Sequence, residues 1–178
     1  MILYKDIFNI LNKKIENTRR LAVLGVGSDL RADDGAGIHI TGLLSKAFEC
    51  ENFPGLLLCH GGNAPENYTG IIKNFNPDHI LVFDAANLGI IPGKIKEIDY
   101  LCINGPSFFS HMLPLRLMLD YLAYETGAQV TFFGIQYESL EFDQKMTPAV
   151  MRSAGLIAEA LENIIKEKRN IFLFLEEI

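Results

Sequence analysis

Four short apolar runs, separated by stretches with helical periodicity, constrain the fold of this chain more than any other feature. They are LAVLGV at 21–26, GLLLCH at 55–60, HILVFDA at 79–85 and QVTFFGI at 129–135. Each reads as a buried strand. A fifth segment, KIKEID at 94–99, follows a Pro92-Gly93 turn and alternates as a half-exposed strand does. Leu3, Ile7, Ile10 and Leu11 lie on one face of an N-terminal helix over 3–16. The stretch DDGAGIHITGLLSKAF predicts a second helix with an aspartate near its N-cap, and Pro65 opens a third that runs through ENYTGIIKNF. A fourth helix begins near Pro114, with Leu115, Leu119 and Leu122 on one face. In the last, Thr147 is the expected cap and Pro148 the first-turn residue, with Val150, Ala154, Ile157, Leu161 and Ile164 continuing the face. Strands alternating with helices predict a layered α/β fold with a mostly parallel sheet.

The chain has 178 residues, with no repeat, low-complexity stretch or linker, and reads as a single domain over 1–178. Within it, 1–19 forms a helical extension, 20–167 the core and 168–178 an apolar tail. A net charge of −6 argues against a nucleic-acid partner, because phosphate backbones are gripped by basic faces. Cys50, Cys59 and Cys102 are scattered with no C-x-x-C, which excludes a cysteine-built zinc site and fits a reducing compartment. No apolar run approaches the length of a membrane span and the N-terminus lacks a signal-peptide pattern, so the expected location is cytoplasmic, away from membranes.

After the first strand comes GVGSDLRADDGAG, residues 25–37. Its glycines suggest a phosphate loop, but Leu30 occupies the third glycine position of the dinucleotide fingerprint and there is no Walker A pattern. Instead the loop carries three carboxylates, Asp29, Asp33 and Asp34, which suit a cation better than a phosphate. One member of the Asp33–Asp34 pair is expected to cap the following helix, leaving the other free. In open α/β sheets, ligands bind outside the carboxyl ends of the strands. At that edge the pair after the first strand meets Asp84, which ends the third strand, and His111, in the loop before the fourth helix. Two carboxylates and an imidazole suit a divalent transition metal with open coordination positions. Each residue also has an ordinary reading: a helix cap, a strand-end aspartate, a solvated loop histidine. H-E-x-x-H and G-x-S-x-G are both absent. Cys59 and His60 are strand neighbours that point to opposite faces, which argues against a Cys–His pair.

GVGSDLRADDGAG, GGNAPEN, VFDAANLGIIPG, SHMLPL and FFGIQ occur in this order over about residues 20–165. Together they resemble the NiFe-hydrogenase maturation endopeptidases, in particular the branch acting on formate-hydrogenlyase-type hydrogenases. The resemblance implies a three-layer α/β/α fold with a mostly parallel five-stranded sheet. It also implies an endopeptidase that removes a short C-terminal extension from the hydrogenase large-subunit precursor after nickel insertion. The family's nickel-contacting and catalytic positions fall on Asp34, Asp84 and His111. The nickel would arrive on the precursor, with no tightly bound resident metal. Ser28 stands where the family usually has asparagine, and His60 where an acidic residue is common.

Two other readings remain open at this point. A conventional metallopeptidase with its own metal would use the same ligands. A phospho-receiver domain also has an acidic pair after strand one and an aspartate ending strand three. Here, however, the acids lie across a glycine loop, and GIQYES lacks the lysine such a domain needs after its last strand.

Overall fold

The computed structural model describes residues 4–99 and 112–173. Helix α1 spans Tyr4–Lys14 and strand β1 Leu21–Val26. A 3-10 turn at Ala32–Gly35 leads into α2, Ala36–Ala47, and then to β2, Leu56–Gly62. A second 3-10 turn, Pro65–Tyr68, precedes α3, Thr69–Phe75. Strands β3, His79–Ala86, and β4, Ile95–Ile98, come before α4, Met112–Thr126. The chain continues through β5, Gln129–Gln136, α5, Pro148–Glu167, and the short α6, Arg169–Leu173.

The five strands form one sheet in the order β2-β1-β3-β5-β4. All pairings are parallel except that of β4, which runs antiparallel to β5 at the edge. Side chains that alternate along each strand separate two cores. Leu21 and Val23, Leu81 and Phe83, and Phe133 and Ile135 face α1, α2 and α5. Ala22, Leu24, Ile80, Val82 and Phe132 face α3 and α4. The predicted three-layer, mostly parallel arrangement is therefore the observed one. Phe83 and Phe133 are register partners on β3 and β5, and their rings stack at 5.6 Å between centroids. That contact stiffens the centre of the sheet below the site.

Two helix starts differ from the sequence expectation. Ala32–Gly35 and Pro65–Tyr68 are tighter 3-10 turns ahead of the α-helices, as often occurs at helix N-termini. Beyond residue 167, Phe172 is fully buried in the core shared by α1, α2 and α5, and its carbonyl accepts a hydrogen bond from Gly55 N.

The strand order determines where a ligand can enter. From β1 the chain crosses through α2 to β2 on one side, then returns to place β3 on the other side of β1. The direction of winding thus reverses between β1 and β3, the kind of switch point beside which sheets of this type bind ligands at the carboxyl ends of the strands.

Candidate active site

The glycine loop after β1 folds back on itself. Gly27 has φ +117°, a conformation that L-residues other than glycine rarely adopt. A Cβ at this position would lie 1.8 Å from the Asp34 carbonyl oxygen and 3.5 Å from Asp84 Oδ1. Only glycine lets these two acidic segments come so near. Gly37 serves the same end, because a Cβ there would sit 2.2 Å from the Phe83 carbonyl; its absence seats the start of α2 directly on β3. The Asp34 carboxylate turns back and accepts a hydrogen bond from Ser28 N at 3.0 Å. Ser28 Oγ in turn accepts from Leu30 N at 3.3 Å, so the serine hydroxyl stabilises the turn.

Asp84 sits two residues before the end of β3 and is 8% exposed. Burial pushes its carboxyl up from 3.8 to about 8, the Asp34 charge adds to the rise, and a backbone hydrogen bond at Ala85 opposes it. Asp34 is half-buried and Asp29 exposed. The structure therefore brings together two of the three expected site residues, Asp34 and Asp84, beside Gly27 at the carboxyl edge of the sheet. His111 lies outside the described residues. The helix that follows it, α4, begins at Met112 and packs on the face toward which Ile80 and Val82 point, the face shared by Asp84 through strand alternation. Among the described residues no group of three or more His, Cys, Asp or Glu side chains forms a metal site.

Asp33 corrects one expectation. Neither acid caps α2, whose N-cap is Gly35 without a side-chain hydrogen bond. Asp33 is instead fully buried and reaches across to the segment between β5 and α5. Its Oδ2 accepts from Glu138 N at 2.8 Å, Ser139 N at 3.1 Å and Thr147 Oγ1 at 3.0 Å, and its Oδ1 accepts from Thr147 N at 2.7 Å. Thr147 does occupy the N-cap position of α5, but it makes no side-chain capping bond because its hydroxyl is given to Asp33. Gln136 also went unassigned in the sequence. Its Oε1 accepts from Leu88 N at 2.7 Å and Ile90 N at 3.4 Å, fixing the segment that leaves β3 just after Asp84. The available signal was the one that marks Asp84, a polar residue ending an apolar strand.

His60 bridges Thr41 Oγ1 at 2.9 Å and Ser45 Oγ at 3.0 Å on α2, while Cys59 is buried on the opposite face. A Cys–His pair is thereby excluded. Burial also pushes the Cys59 thiol up to about 12, far from a reactive thiolate.

The fold is a mostly parallel α/β sheet, covered on both faces by helices, that places two acidic residues near one another at its carboxyl edge. The family model described as hydrogenase maturation protease matches residues 38–167. The hydrogenase 3 maturation protease of Escherichia coli K12 is 31% identical over 141 residues, 79% of this chain and 87% of that one. A Methanocaldococcus jannaschii protein assigned to hydrogenase maturation is 32% identical over 162 residues, 89% and 95% of the two chains. The crystal structure of a NiFe-hydrogenase maturation protease from Thermococcus kodakarensis superposes with a TM-score of 0.82 at 28% identity, covering 88% of this chain and 99% of that one. The chain belongs to the hydrogenase maturation protease family, and it is a peptide hydrolase.

Proposed function

We propose that this protein is an aspartate-dependent endopeptidase of the cytoplasm that removes the short C-terminal extension of a NiFe-hydrogenase large-subunit precursor once nickel has been inserted. Asp34, Asp84 and His111 contact the nickel that the precursor carries. The observation that supports this most is the approach of Asp34 to Asp84 at the switch point, made possible by Gly27. Two oxygen donors and an imidazole leave positions open for ligands supplied by the precursor. Cleavage then depends on loading, because metal and polypeptide must be gripped together.

The test is incubation with nickel-loaded and nickel-free precursor, scored by a gel shift. Only the loaded form is shortened, and protease treated with chelator and then freed of it keeps its activity. Equal cleavage of both precursors refutes recognition of nickel. Activity that returns only on adding metal to the protease indicates a resident metal instead.

A further inference from the structure

We infer that Asp33, together with Thr147, is a positioning device for the cleavage reaction, holding Asp34 toward Asp84 without touching the substrate. The inference rests on the functional reading of Asp34 and Asp84 above. Asp33 has 0% exposure and cannot meet a substrate directly. Its four accepted hydrogen bonds come from neutral donors, and among the described residues it forms no salt bridge. A buried carboxylate is tolerated on such terms only where the donors are fixed around it.

The clasp is reciprocal. Asp33 N donates to Ser139 O at 3.1 Å, Ala32 N to Gln144 O at 3.2 Å, and Asp143 N to Leu30 O at 2.8 Å. The two segments thus bind one another through backbone and side chain at several points. They also share strain, since Ala32 at φ +41° and Asp143 at φ +56° both occupy the left-handed region without being glycine. Such conformations persist only where surrounding contacts over-determine them, and they gather at functional sites.

Asp34 is the next residue of the same 3-10 turn. Only the missing Cβ of Gly27 leaves room for that turn against Asp84, and the crowding of the two acidic side chains favours moving the turn away from β3. The clasp opposes this from the other side, anchoring the turn to the segment before α5. Without it, the turn is free to relax by the fraction of an ångström that separates a productive arrangement of reacting groups from a poor one.

The test uses full-length Asp33→Asn, Thr147→Val and Thr147→Ser, with kcat and KM measured on nickel-loaded precursor and folding checked by circular dichroism. Folded Asp33→Asn is expected to lose about 10- to 100-fold in kcat with KM within about twofold of wild type. Thr147→Val, which lacks one donor, falls in kcat by about threefold or more, and Thr147→Ser, which keeps the hydroxyl, recovers most of that loss. A folded Asp33→Asn with wild-type kcat, or a loss confined to KM, overturns the inference. If Asp33→Asn does not fold, the Thr147 pair decides: valine below serine supports the device, and equal kcat for both overturns it. Failure of the wild-type protein to cleave loaded precursor is a separate result, and it counts against the functional reading.

Discussion

Replacing Asp84 with asparagine should make the protein more stable while removing its activity. In the fold the Asp84 carboxyl is raised from 3.8 to about 8, by burial first and by Asp34 second. In the unfolded chain it returns to the ordinary range. Between these values the folded protein holds a proton that the unfolded chain has released, so the contribution of Asp84 to stability falls as pH rises from about 4 to about 8 and levels off above. At pH 7 the difference of roughly three units corresponds to a cost of about 4 kcal/mol. Asparagine keeps the size and never ionises, but an amide N–H without an acceptor returns about 1–3 kcal/mol of that gain. A net stabilisation of about 1–3 kcal/mol remains, a rise of roughly 3–10 °C in melting temperature for a chain of this length. The assay is thermal unfolding of chelator-treated wild-type and Asp84→Asn protein from pH 5 to 8.5, with precursor cleavage measured alongside. The gap in melting temperature should widen as pH rises and nearly close near pH 5. A gap that is flat with pH, or a variant less stable than wild type at pH 8, refutes the reasoning.

Three further outcomes follow from other parts of the fold. Burial lowers His79 from 6.5 to about 4, with the Lys14 charge acting in the same direction and Asp78, a hydrogen bond to the Lys14 backbone and Glu97 against it. Because the unfolded chain takes up the proton first, the contribution of His79 to stability falls by at most about 3 kcal/mol between pH 6.5 and 4, opposite in sign to that of Asp84 over the same range. It is read as the difference in urea midpoint between wild type and His79→Gln, which should shift against wild type as pH falls from 6.5 to 4; a difference that does not change with pH refutes it. Gly27→Ala puts a methyl group 1.8 Å from the Asp34 carbonyl oxygen at φ +117°; it should cost about 3 kcal/mol or more and abolish cleavage in whatever fraction folds. Phe172→Ala should cost about 3–5 kcal/mol in urea unfolding, since the ring is fully buried; a change under about 1 kcal/mol would place that ring outside the cooperative core.

How far the sequence could be read depended on the range of the interaction. Strand β1 has the bounds its apolar run predicts, Leu21–Val26, because a segment buried on both faces carries its own signature. The place of Asp84 at the end of an apolar strand, and of Asp34 in the loop that follows one, was legible from local pattern, and topology brings such positions to one edge of the sheet. Asp33 was not. Its partners lie 105, 106 and 114 residues along the chain, and nothing near it in sequence marks them. Local capping rules then erred twice from one cause. Asp33 resembles a helix cap but is drawn away to distant N–H groups, and Thr147 holds the cap position while its hydroxyl is drawn to Asp33. Gly27 was visible as a glycine, but its reason is the approach of Asp34 and Asp84, which only the folded chain discloses.

The two ends of β3 show what separates a structural buried ionisable group from one placed for chemistry. At the amino end, His79 is 2% exposed, with Thr18 Oγ1 3.4 Å from Nδ1 and Thr131 Oγ1 2.9 Å from Nε2. Burial favours the neutral ring, and the hydroxyls can serve either tautomer, so the environment and the preferred state agree. A cleft of about 650 Å³ opens beside it, yet its lining includes none of the expected site residues. At the carboxyl end, Asp84 is almost as deeply buried but has the acidic Asp34 as a neighbour. Neither burial nor its neighbour favours the charged form, and a strand position that only needed filling would be better served by valine or isoleucine. A fold retains such a residue at a cost in stability where another requirement outweighs it. The stacked Phe83 and Phe133 beneath, the glycine at position 27 and the Asp33 clasp beside it all hold the two carboxyl groups where ionising both is costly. Under the function proposed above, a positive charge arriving with the substrate would relieve that cost, as preorganised groups require.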